Sequence, residues 1–378
     1  VAHPGPKGRP FRRAPIRPWQ ASGAADDLKV GCFADGDSVT WRPIPVDWLH
    51  MMRLSTMQDV VATVSEQWES PLADELLLQW EHDAIRPQYW RSSANFVFFC
   101  KIRGRDHVLR FNHEDERTAE IIQSEIDFVN ALAGSGLNVA KPIRSKSGNY
   151  VESVSTSHGI FHAVIFEALP GKQLDLEELS APQIRQWGQA LGELHHAAAR
   201  LRTSGRPGWQ EQLAAAEKSL SEGDTQARQA ITRLISDLQT LALSEDNYGL
   251  IHFDFEPDNL IWNEGGPGVI DFDDCAWNWF AADIACAVED LVSAQGTNAG
   301  LRSEPFLLFM QGYRSVRPIE QAELEHIPLF WRFQHMLDYA RLARALTPVK
   351  LTGELAWMAA LRDKLATRMQ QYREEFVV

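Results

Sequence analysis

The sequence predicts an α+β fold of two lobes, a small β-rich N-lobe followed by a larger, mostly helical C-lobe. Runs of β-branched and aromatic residues with strand-like spacing concentrate before residue 169. Beyond Pro170-Gly171 the apolar residues recur mainly with the helical period. Because a Pro-Gly pair between two such regions is typical of a linker, we place the N-lobe at residues 51–169 and the C-lobe at residues 170–378.

Composition restricts the class of protein and its partners. A net charge of −14 argues against a nucleic-acid partner, since neutralising phosphates needs a basic face. No apolar run approaches the roughly 18 residues that a membrane span needs. The four cysteines lack a metal-binding or disulfide spacing, so we read them as reduced thiols. We therefore expect a cytoplasmic protein, a monomer or a homodimer, with no membrane or nucleic-acid partner.

The N-terminal segment differs from the rest of the chain. Residues 1–24 carry five basic residues, five prolines and no acidic residue. Such a segment buries too little apolar surface to offset its ordering entropy. The first methionines are Met51 and Met52, directly before the first helical pattern. We expect residues 1–50 to be a disordered or non-native extension of the folded unit.

The N-lobe pattern begins with helical spacing of apolar residues from Thr56 to Trp80. Two β-rich runs follow, Asn95–Lys101 and His107–Asn112, joined by a Gly-containing hairpin loop. A helix is predicted at about Glu116–Ala133, and glycines mark its end. Further strands fit three later stretches: Val139–Ser145, Tyr150–Val154 and Phe161–Ala168.

The C-lobe pattern is helical, with one β-rich interruption at Gly249–Phe272. Six helices are predicted: Ala181–Leu201, Thr225–Leu243, Phe280–Ser293, Glu304–Ser315, Ala322–Leu346 and Leu351–Glu375.

The β-rich interruption carries the pattern that points to chemistry. His252, Asp254 and Asn259 form an H-x-D-x-x-x-x-N string, and Asp271 follows twelve residues after Asn259. Phosphoryl transfer from ATP needs a carboxylate to orient the attacking hydroxyl and oxygen ligands to hold Mg²⁺ on the phosphates. The twelve-residue gap fits two short strands and a tight turn, which would bring Asn259 and Asp271 together. The alternative is a hairpin that happens to be rich in acidic residues.

This string resembles the aminoglycoside phosphotransferase and choline kinase superfamily, from about Ser92 to Leu346. The resemblance implies a protein-kinase-like fold, an ATP- and Mg²⁺-dependent kinase, Asp254 as the catalytic base, and Asn259 and Asp271 as metal ligands. It also implies structural roles for three further residues, which are His252, His195 of the Leu-Gly-Glu-Leu-His string, and Asp283.

The resemblance also implies a nucleotide clamp in the N-lobe. Small residues near Ser92 and Ser93 stand where a phosphate-binding loop is expected, although no Gly-rich string is present. Arg110 stands where Lys is usual, with Glu125 as its predicted partner. The adenine is expected against the linker between Glu167 and Leu169. The alternative for Arg110 and Glu125 is a pair of ordinary surface charges.

Two departures concern the acceptor. Many relatives have Gly and His where this chain has Phe253 and Glu256, and Glu256 places a negative charge beside Asp254. Glu256 is either a contact for a basic substrate or a solvated loop charge. Beyond the metal motif, acidic and aromatic residues could hold an ammonium group by charge and cation–π attraction, or the tryptophans could be core. These candidates are Asp273, Asp274, Trp277 and Trp279.

The leading hypothesis is a small-molecule kinase that transfers the ATP γ-phosphate to a hydroxyl of a small polar acceptor. A cationic acceptor is one form of this hypothesis. Aminoglycosides, choline-like amino alcohols, homoserine and sugars are the acceptors that the resemblance implies. The alternative is a catalytically weak nucleotide-binding regulator, motivated by Arg110 in place of Lys and by the missing Gly-rich loop.

Overall fold

The computed structural model describes residues 31–35, 38–42, 51–201, 205–293, 297–347 and 356–376. The chain divides into two compact units, Val1–Val46 and Asp47–Val378. In the first unit, β1 (Gly31–Asp35) pairs antiparallel with β2 (Ser38–Arg42). The sequence predicts no strand there. The other residues of the 1–50 segment lie outside the described residues, so its assignment as an extension stays a prediction.

The second unit begins with two short helices, α1 (Leu54–Val61) and α2 (Pro71–Leu77). The helical pattern predicted over this stretch is therefore interrupted. Trp68 adopts a left-handed φ of 63°, and Ser70 is extended ahead of Pro71. Proline at the first helical position restarts a helix but cannot continue one, so the local chemistry breaks the run.

The N-lobe is built on one six-stranded antiparallel sheet. The spatial order is β3-β4-β5-β8-β6, and β7 pairs with the part of β8 that β6 leaves uncovered. The strands are β3 (Gln88–Ser92), β4 (Phe96–Ile102), β5 (Arg105–His113), β6 (Pro142–Ile143), β7 (Glu152–Thr156) and β8 (Gly159–Glu167).

The β4–β5 hairpin closes through a two-residue turn. Arg103 and Gly104 both have positive φ, 52° and 75°, as such turns require. The Asp83 carboxylate accepts from both turn amides at 2.8 Å. The turn is shorter than the predicted loop, and it sets the register that opposes Val97 to Arg110.

Helix α3 (Ala119–Gly134) packs across the sheet. Thr118 caps its N-terminus, because the Thr118 hydroxyl accepts from the Ile121 amide. Ile122 and Ile126 are buried against Val164 and Phe166 of β8. This face of α3 directs Glu125 inward, towards β5.

The C-lobe is helical, as predicted. Its helices are α4 (Ala181–Ala198), α5 (Trp209–Ser219), α6 (Thr225–Leu238), α7 (Phe280–Ser293), α8 (Thr297–Gly300), α9 (Glu304–Arg314), α10 (Gln321–Leu324), α11 (Ile327–Ala345) and α12 (Ala356–Glu375). Helix α5 was not predicted. Helices α4 and α9 approach closely, since a Cβ on Gly188 would lie 1.9 Å from the Phe309 carbonyl oxygen. None of the described helices is long and apolar enough to span a bilayer.

Two strand pairs form the β insert of the C-lobe. β9 (Tyr248–Ile251) pairs with β12 (Ala276–Trp279), and β10 (Leu260–Asn263) pairs with β11 (Gly266–Val269). Backbone hydrogen bonds join β11 to the segment before β6: Ala140 donates to Val269, and Val269 donates to the Asn138 carbonyl. The insert therefore contacts the N-lobe side of the cleft directly.

Candidate active site

The loop between β9 and β10, residues 252–259, is held from beneath by Asp283. Asp283 lies in the first turn of α7 and is fully buried. Its carboxylate accepts from the backbone amides of His252 at 2.9 Å and Phe253 at 2.8 Å. His195 of α4 donates its Nε2–H to the same carboxylate at 2.9 Å. Phe253 is held with a left-handed φ of 65°, the conformation that explains why glycine suits this position.

The two histidines of this support are neutral braces. The Asp254 amide donates to His252 Nδ1 at 3.2 Å, so the His252 proton resides on Nε2 and is donated to the Ile270 carbonyl. Burial lowers the pKa of both His252 and His195, although Asp283 opposes the shift in each case. The structural roles of His252, His195 and Asp283 stay predictions, and these contacts support them.

Asp254 and Asn259 meet across the loop. The Asn259 side-chain amide donates to the Asp254 carbonyl at 2.9 Å and to Asp254 Oδ2 at 2.6 Å. Both residues are buried, with 4% of their surface exposed. The Ile270 amide donates to the Asn259 carbonyl, which places Asp271 next to Asn259 at the end of the β10–β11 hairpin. The predicted strand–turn–strand geometry therefore brings the three residues together.

Asp271 lies where the two lobes meet, with a left-handed φ of 60°. Arg91 Nη2 donates to its Oδ2 at 2.7 Å, and Arg110 Nη1 donates to its Oδ1 at 3.3 Å. Burial and the neighbouring Asp273 raise the pKa of Asp271, while Arg91 and Arg110 oppose that rise.

The chemistry of Asn259 and Asp271 fits a divalent metal ion. Asp271 supplies a carboxylate, and Asn259 has its amide nitrogen committed to Asp254, which leaves its amide oxygen as the coordinating atom. Carboxylate and amide oxygens are the ligands that hard divalent ions prefer. These two residues would hold the ion.

Arg110 and Glu125 form a buried bidentate ion pair. Arg110 Nη2 lies 2.8 Å and 2.6 Å from the two Glu125 carboxylate oxygens. The side chains are 6% and 1% exposed, so these are not ordinary surface charges. Burial alone would lower the pKa of Arg110, but the charges of Glu125 and Asp271 raise it. The guanidinium is thus a fixed positive charge beside Asp271.

The N-lobe residues predicted to bind nucleotide lie around this pair. Leu169 packs on an apolar cluster that includes Val164 and Phe166, and Ile270 contacts the same cluster from the C-lobe. Glu167, at the end of β8, is exposed and donates its backbone amide to Lys141. An apolar wall beside a linker suits a planar base. Adenine binding by Glu167 and Leu169 stays a prediction.

In the turn after β3, polar groups of Ser92 and Ser93 already make hydrogen bonds to neighbouring residues of the chain. The Ser92 hydroxyl bonds to the Tyr89 hydroxyl at 2.8 Å, and the Ser93 amide donates to the Asn95 carbonyl at 3.3 Å. The Ser93 N–H therefore closes its own turn. Phosphate contact by Ser92 and Ser93 remains a prediction.

Asp273 and Asp274 do not lie open to an ammonium substrate. Asp273 Oδ2 accepts from Asn95 at 2.7 Å and from Arg117 at 2.9 Å. Asp274 pairs with Arg117 at 3.4 Å and with Arg341 at 3.1 Å. Arginines of the chain already neutralise both carboxylates, so we withdraw them as substrate contacts. They join the lobes instead.

The tryptophans after the metal motif are also displaced from the predicted site. Trp279 is 4% exposed and packs against Trp209, Tyr248 and Phe330. It belongs to the core. Trp277 is half-buried and lines an open cavity of about 560 Å³, and none of the described residues 252–259 lines that cavity. Neither Trp277 nor Trp279 is retained as a substrate contact.

Glu256 lies beside the predicted base, as expected. Carboxylate oxygens of Asp254 and Glu256 and the Cys286 sulfur all lie within 4.8 Å of one another. Cys286 donates its S–H to the Phe253 carbonyl, and burial followed by the charges of Glu256 and Asp254 raises the pKa of its thiol. Acidic charge therefore concentrates next to Asp254.

The sequence analysis does not identify three residues of the site, which are Arg91, Asn95 and Arg117. Each contacts an aspartate of the 271–273 segment from the other lobe, between 156 and 180 residues away in the chain. Arg91 and Asn95 flank the predicted phosphate-binding loop and Arg117 lies outside every predicted motif, but nothing in the sequence indicates that they reach the other lobe.

Known proteins match both the sequence and the fold. The profile of the phosphotransferase enzyme family matches residues 88–319, more than half of the chain. The amicoumacin kinase of Bacillus subtilis strain 168 is 29% identical over 270 residues, covering 69% of this chain and 80% of that protein. A homoserine kinase of Granulibacter bethesdensis is 25% identical over 243 residues, covering 63% and 73%.

A solved structure agrees with these sequence matches. An amicoumacin kinase in complex with AMP-PNP, Ca²⁺ and Ami aligns with a TM-score of 0.68 at 25% identity. The alignment covers 84% of this chain and 96% of that one. The protein-kinase-like, two-lobed α+β fold predicted from the sequence is confirmed.

Proposed function

We propose that this chain, which belongs to the phosphotransferase enzyme family, acts on a small acceptor that bears both a hydroxyl and a positively charged ammonium group. The chain is an ATP-dependent phosphotransferase acting on hydroxyl groups of small molecules. Aminoglycosides, choline-like amino alcohols and homoserine each carry both the hydroxyl and the ammonium group, homoserine as a zwitterion, whereas neutral sugars lack the ammonium charge. The enzyme uses a nucleotide and a divalent metal ion. We propose Mg²⁺ as that ion.

The concentration of carboxylates around Asp254 carries the proposal. Glu256 lies within 4.8 Å of Asp254. Burial raises the pKa of Asp258 in the same loop, and Asp175 and Asp290 raise it further, while Arg91 opposes them. Carboxylates from separate elements thus repel one another around the 252–259 loop. A bound ammonium group would relieve that repulsion, because opposite charge stabilises the ionised carboxylates.

Asp290 extends this acidic surface to α7. Burial raises the pKa of Asp290, followed by the charge of Glu289, and Glu177 adds to the shift, while Arg368 opposes it. The acidic character is therefore shared by the 252–259 loop, α7 and the one-turn 3₁₀ helix Leu176–Glu178. The relatives support the same class of acceptor, since homoserine, the substrate named for the Granulibacter protein, carries both an ammonium group and a hydroxyl.

The chain's residues divide the chemistry between them. Asp254 accepts the proton of the acceptor hydroxyl as its oxygen bonds to the γ-phosphorus and ADP leaves. Asn259 orients Asp254 through the 2.6 Å hydrogen bond. Arg110, fixed by Glu125, offers its guanidinium to the phosphates. The metal ion, when bound, neutralises charge on the phosphates.

The regulator alternative is not retained, because relatives and family identify an active phosphotransferase. Monomeric or homodimeric assembly and a cytoplasmic location stay predictions from the sequence.

A coupled ADP-release assay tests the acceptor class. Each amino alcohol is paired with a neutral alcohol of the same size, and aminoglycosides are compared with neutral sugars. We expect turnover with the amine-bearing member of each pair and little with the neutral one. Equal turnover of neutral partners would refute a cationic acceptor while leaving the kinase activity intact.

A charge-removing variant locates the acceptor. Glu256→Gln should raise KM for the amine acceptor about tenfold, as expected for loss of one charge-assisted contact, with KM for ATP nearly unchanged. Glu75→Gln, an exposed carboxylate of α2 in the N-lobe, is the matched control and should change neither constant. A rise in the KM for ATP instead would move Glu256 from the acceptor side to the nucleotide side.

A further inference from the structure

Arg91 occupies an unusual position for a residue to which the sequence assigns no role. It lies on β3, one residue before the Ser92–Asn95 turn, and reaches across the cleft to the C-lobe. Its Nη2 donates to Asp271 Oδ2 at 2.7 Å. That oxygen belongs to the predicted metal ligand, so a guanidinium sits where the metal ion would coordinate.

The two arginines at Asp271 differ in how firmly they are held. Arg110 is 6% exposed and is anchored by both oxygens of Glu125. Arg91 is 26% exposed, and among the contacts of the described residues it has one ion pair, with Asp271. A competing cation at Asp271 would therefore displace Arg91, whereas Arg110 would stay in place.

Once displaced from Asp271, Arg91 would have a second partner, the phosphates of a bound nucleotide. Arg91 directly precedes the Ser92–Asn95 turn, where the phosphate-binding loop is expected, and its charge opposes the rise in the pKa of Asp258. The nearby turn has no Gly-rich string, and the Ser93 amide is committed to Asn95. A guanidinium binds phosphate bidentately, which suits a site whose loop offers fewer backbone donors.

Resting on the proposed function, which makes Asp271 a metal ligand, we propose that Arg91 is a positioning residue with two states. In the nucleotide-free enzyme Arg91 neutralises Asp271 and competes with metal ions that arrive without nucleotide. When a metal–nucleotide complex binds, the ion takes the Asp271 oxygen and Arg91 turns to the nucleotide phosphates. The enzyme thereby favours the metal–nucleotide complex over the free metal ion.

Binding measurements separate this role from simple structural support, because the proposal predicts that loss of Arg91 strengthens binding of the free metal ion and weakens binding of the metal–nucleotide complex. Arg91→Gln should bind Mn²⁺ alone several-fold more tightly, since a competing cation is removed. The same variant should bind Mn²⁺–AMP-PNP about 10- to 100-fold more weakly, the cost of one charged hydrogen-bonding partner. Free Mn²⁺ is followed by electron paramagnetic resonance, and the nucleotide complex by titration calorimetry.

Two further variants serve as controls. Arg91→Lys keeps the charge and should recover part of the affinity for Mn²⁺–AMP-PNP, although it lacks the bidentate fork. Arg86→Gln removes an arginine of the same lobe that pairs with Glu69 and Asp74 on the surface, and it should bind both probes as the wild type does.

The outcomes are distinct. If Arg91→Gln weakens Mn²⁺ binding as well, Arg91 merely holds Asp271 in place and the two-state proposal is wrong. The proposal is also overturned if Mn²⁺ binding is unchanged, or if affinity for the nucleotide complex is retained. If the wild type and Arg86→Gln fail to bind Mn²⁺–AMP-PNP, the proposed function itself fails, independently of Arg91.

Discussion

The Asn259 side-chain amide lies 2.6 Å from Asp254 Oδ2, so one hydrogen bond joins the predicted metal ligand to the predicted base. Asp283 fixes the same loop from below by accepting from two successive backbone amides. The base is therefore oriented before any substrate binds, and most of the ordering cost is met during folding rather than during catalysis. Each element of this arrangement leads to a measurable expectation.

Asp254→Asn should lower kcat by roughly 10²-fold or more, because general-base positioning contributes about 10²–10⁴-fold. The variant is isosteric, and its amide oxygen can still accept from Asn259, so folding and AMP-PNP affinity should persist. Steady-state kinetics and calorimetry measure the two quantities. A variant that keeps more than half of the wild-type rate would remove Asp254 from the mechanism.

Asp271→Ala should abolish turnover and weaken binding of Mg²⁺–AMP-PNP far more than binding of AMP-PNP in the presence of a chelator. The reason is that Asp271 supplies the carboxylate of the proposed metal site. Asp237→Ala, which removes an exposed partner of Arg332, is the control and should change neither affinity. Equal losses with and without metal would contradict the metal-ligand assignment.

Glu125→Gln should destabilise the fold by about 3 kcal/mol, because it leaves the buried Arg110 charge without its bidentate partner. Glu69→Gln breaks a pair of similar length, 2.7 Å, with the half-exposed Arg86. Because solvent screens that surface pair, its loss should destabilise the fold far less than the loss of the buried pair. Urea unfolding of the two variants provides the comparison. Similar losses would show that burial does not distinguish the two pairs.

His335 predicts a pH dependence of stability. Burial alone would lower the pKa of His335, but hydrogen bonds to Glu289 and Glu375 raise it to about 10. Since the folded pKa exceeds the ordinary value of 6.5, the contribution of His335 to stability is complete below pH 6.5 and is lost as the pH rises towards about 10. His335→Gln should therefore flatten the fall in stability between those pH values. Unfolding curves at several pH values test this, and an unchanged slope would contradict the raised pKa.

Removal of residues 1–50 should leave catalysis and thermal stability nearly unchanged. The basic, Pro-rich composition of the first 24 residues underlies this expectation. The competing idea is that apolar residues between Trp41 and Leu49 dock on the N-lobe. Thermal melting of the protein starting at Met51 decides between them. A Tm drop of more than about 5 °C would correspond to a kcal/mol or more of lost contacts and would make that stretch part of the fold.

The local parts of the site were predictable from the sequence, because short-range geometry determines them. The eleven residues between Asn259 and Asp271 include two four-residue strands that pair in register, so spacing alone was enough to bring those side chains together. Helix α7 matches its predicted bounds, since its apolar pattern is uninterrupted. The pairing of Arg110 with Glu125 was implied by the family resemblance, and the structure brings the two side chains together.

Tertiary structure alone decided which distant charges neutralise one another. Arg91 reaches Asp271 and Arg117 reaches Asp273 across 180 and 156 residues of chain, through packing of one lobe on the other. The same packing removed Asp273 and Asp274 from the acceptor site and buried Trp279 in the core. Residue type and spacing specify what chemistry a side chain can perform. Which partner it meets depends on long-range packing, since an aspartate facing an arginine and one facing a cleft are identical in sequence.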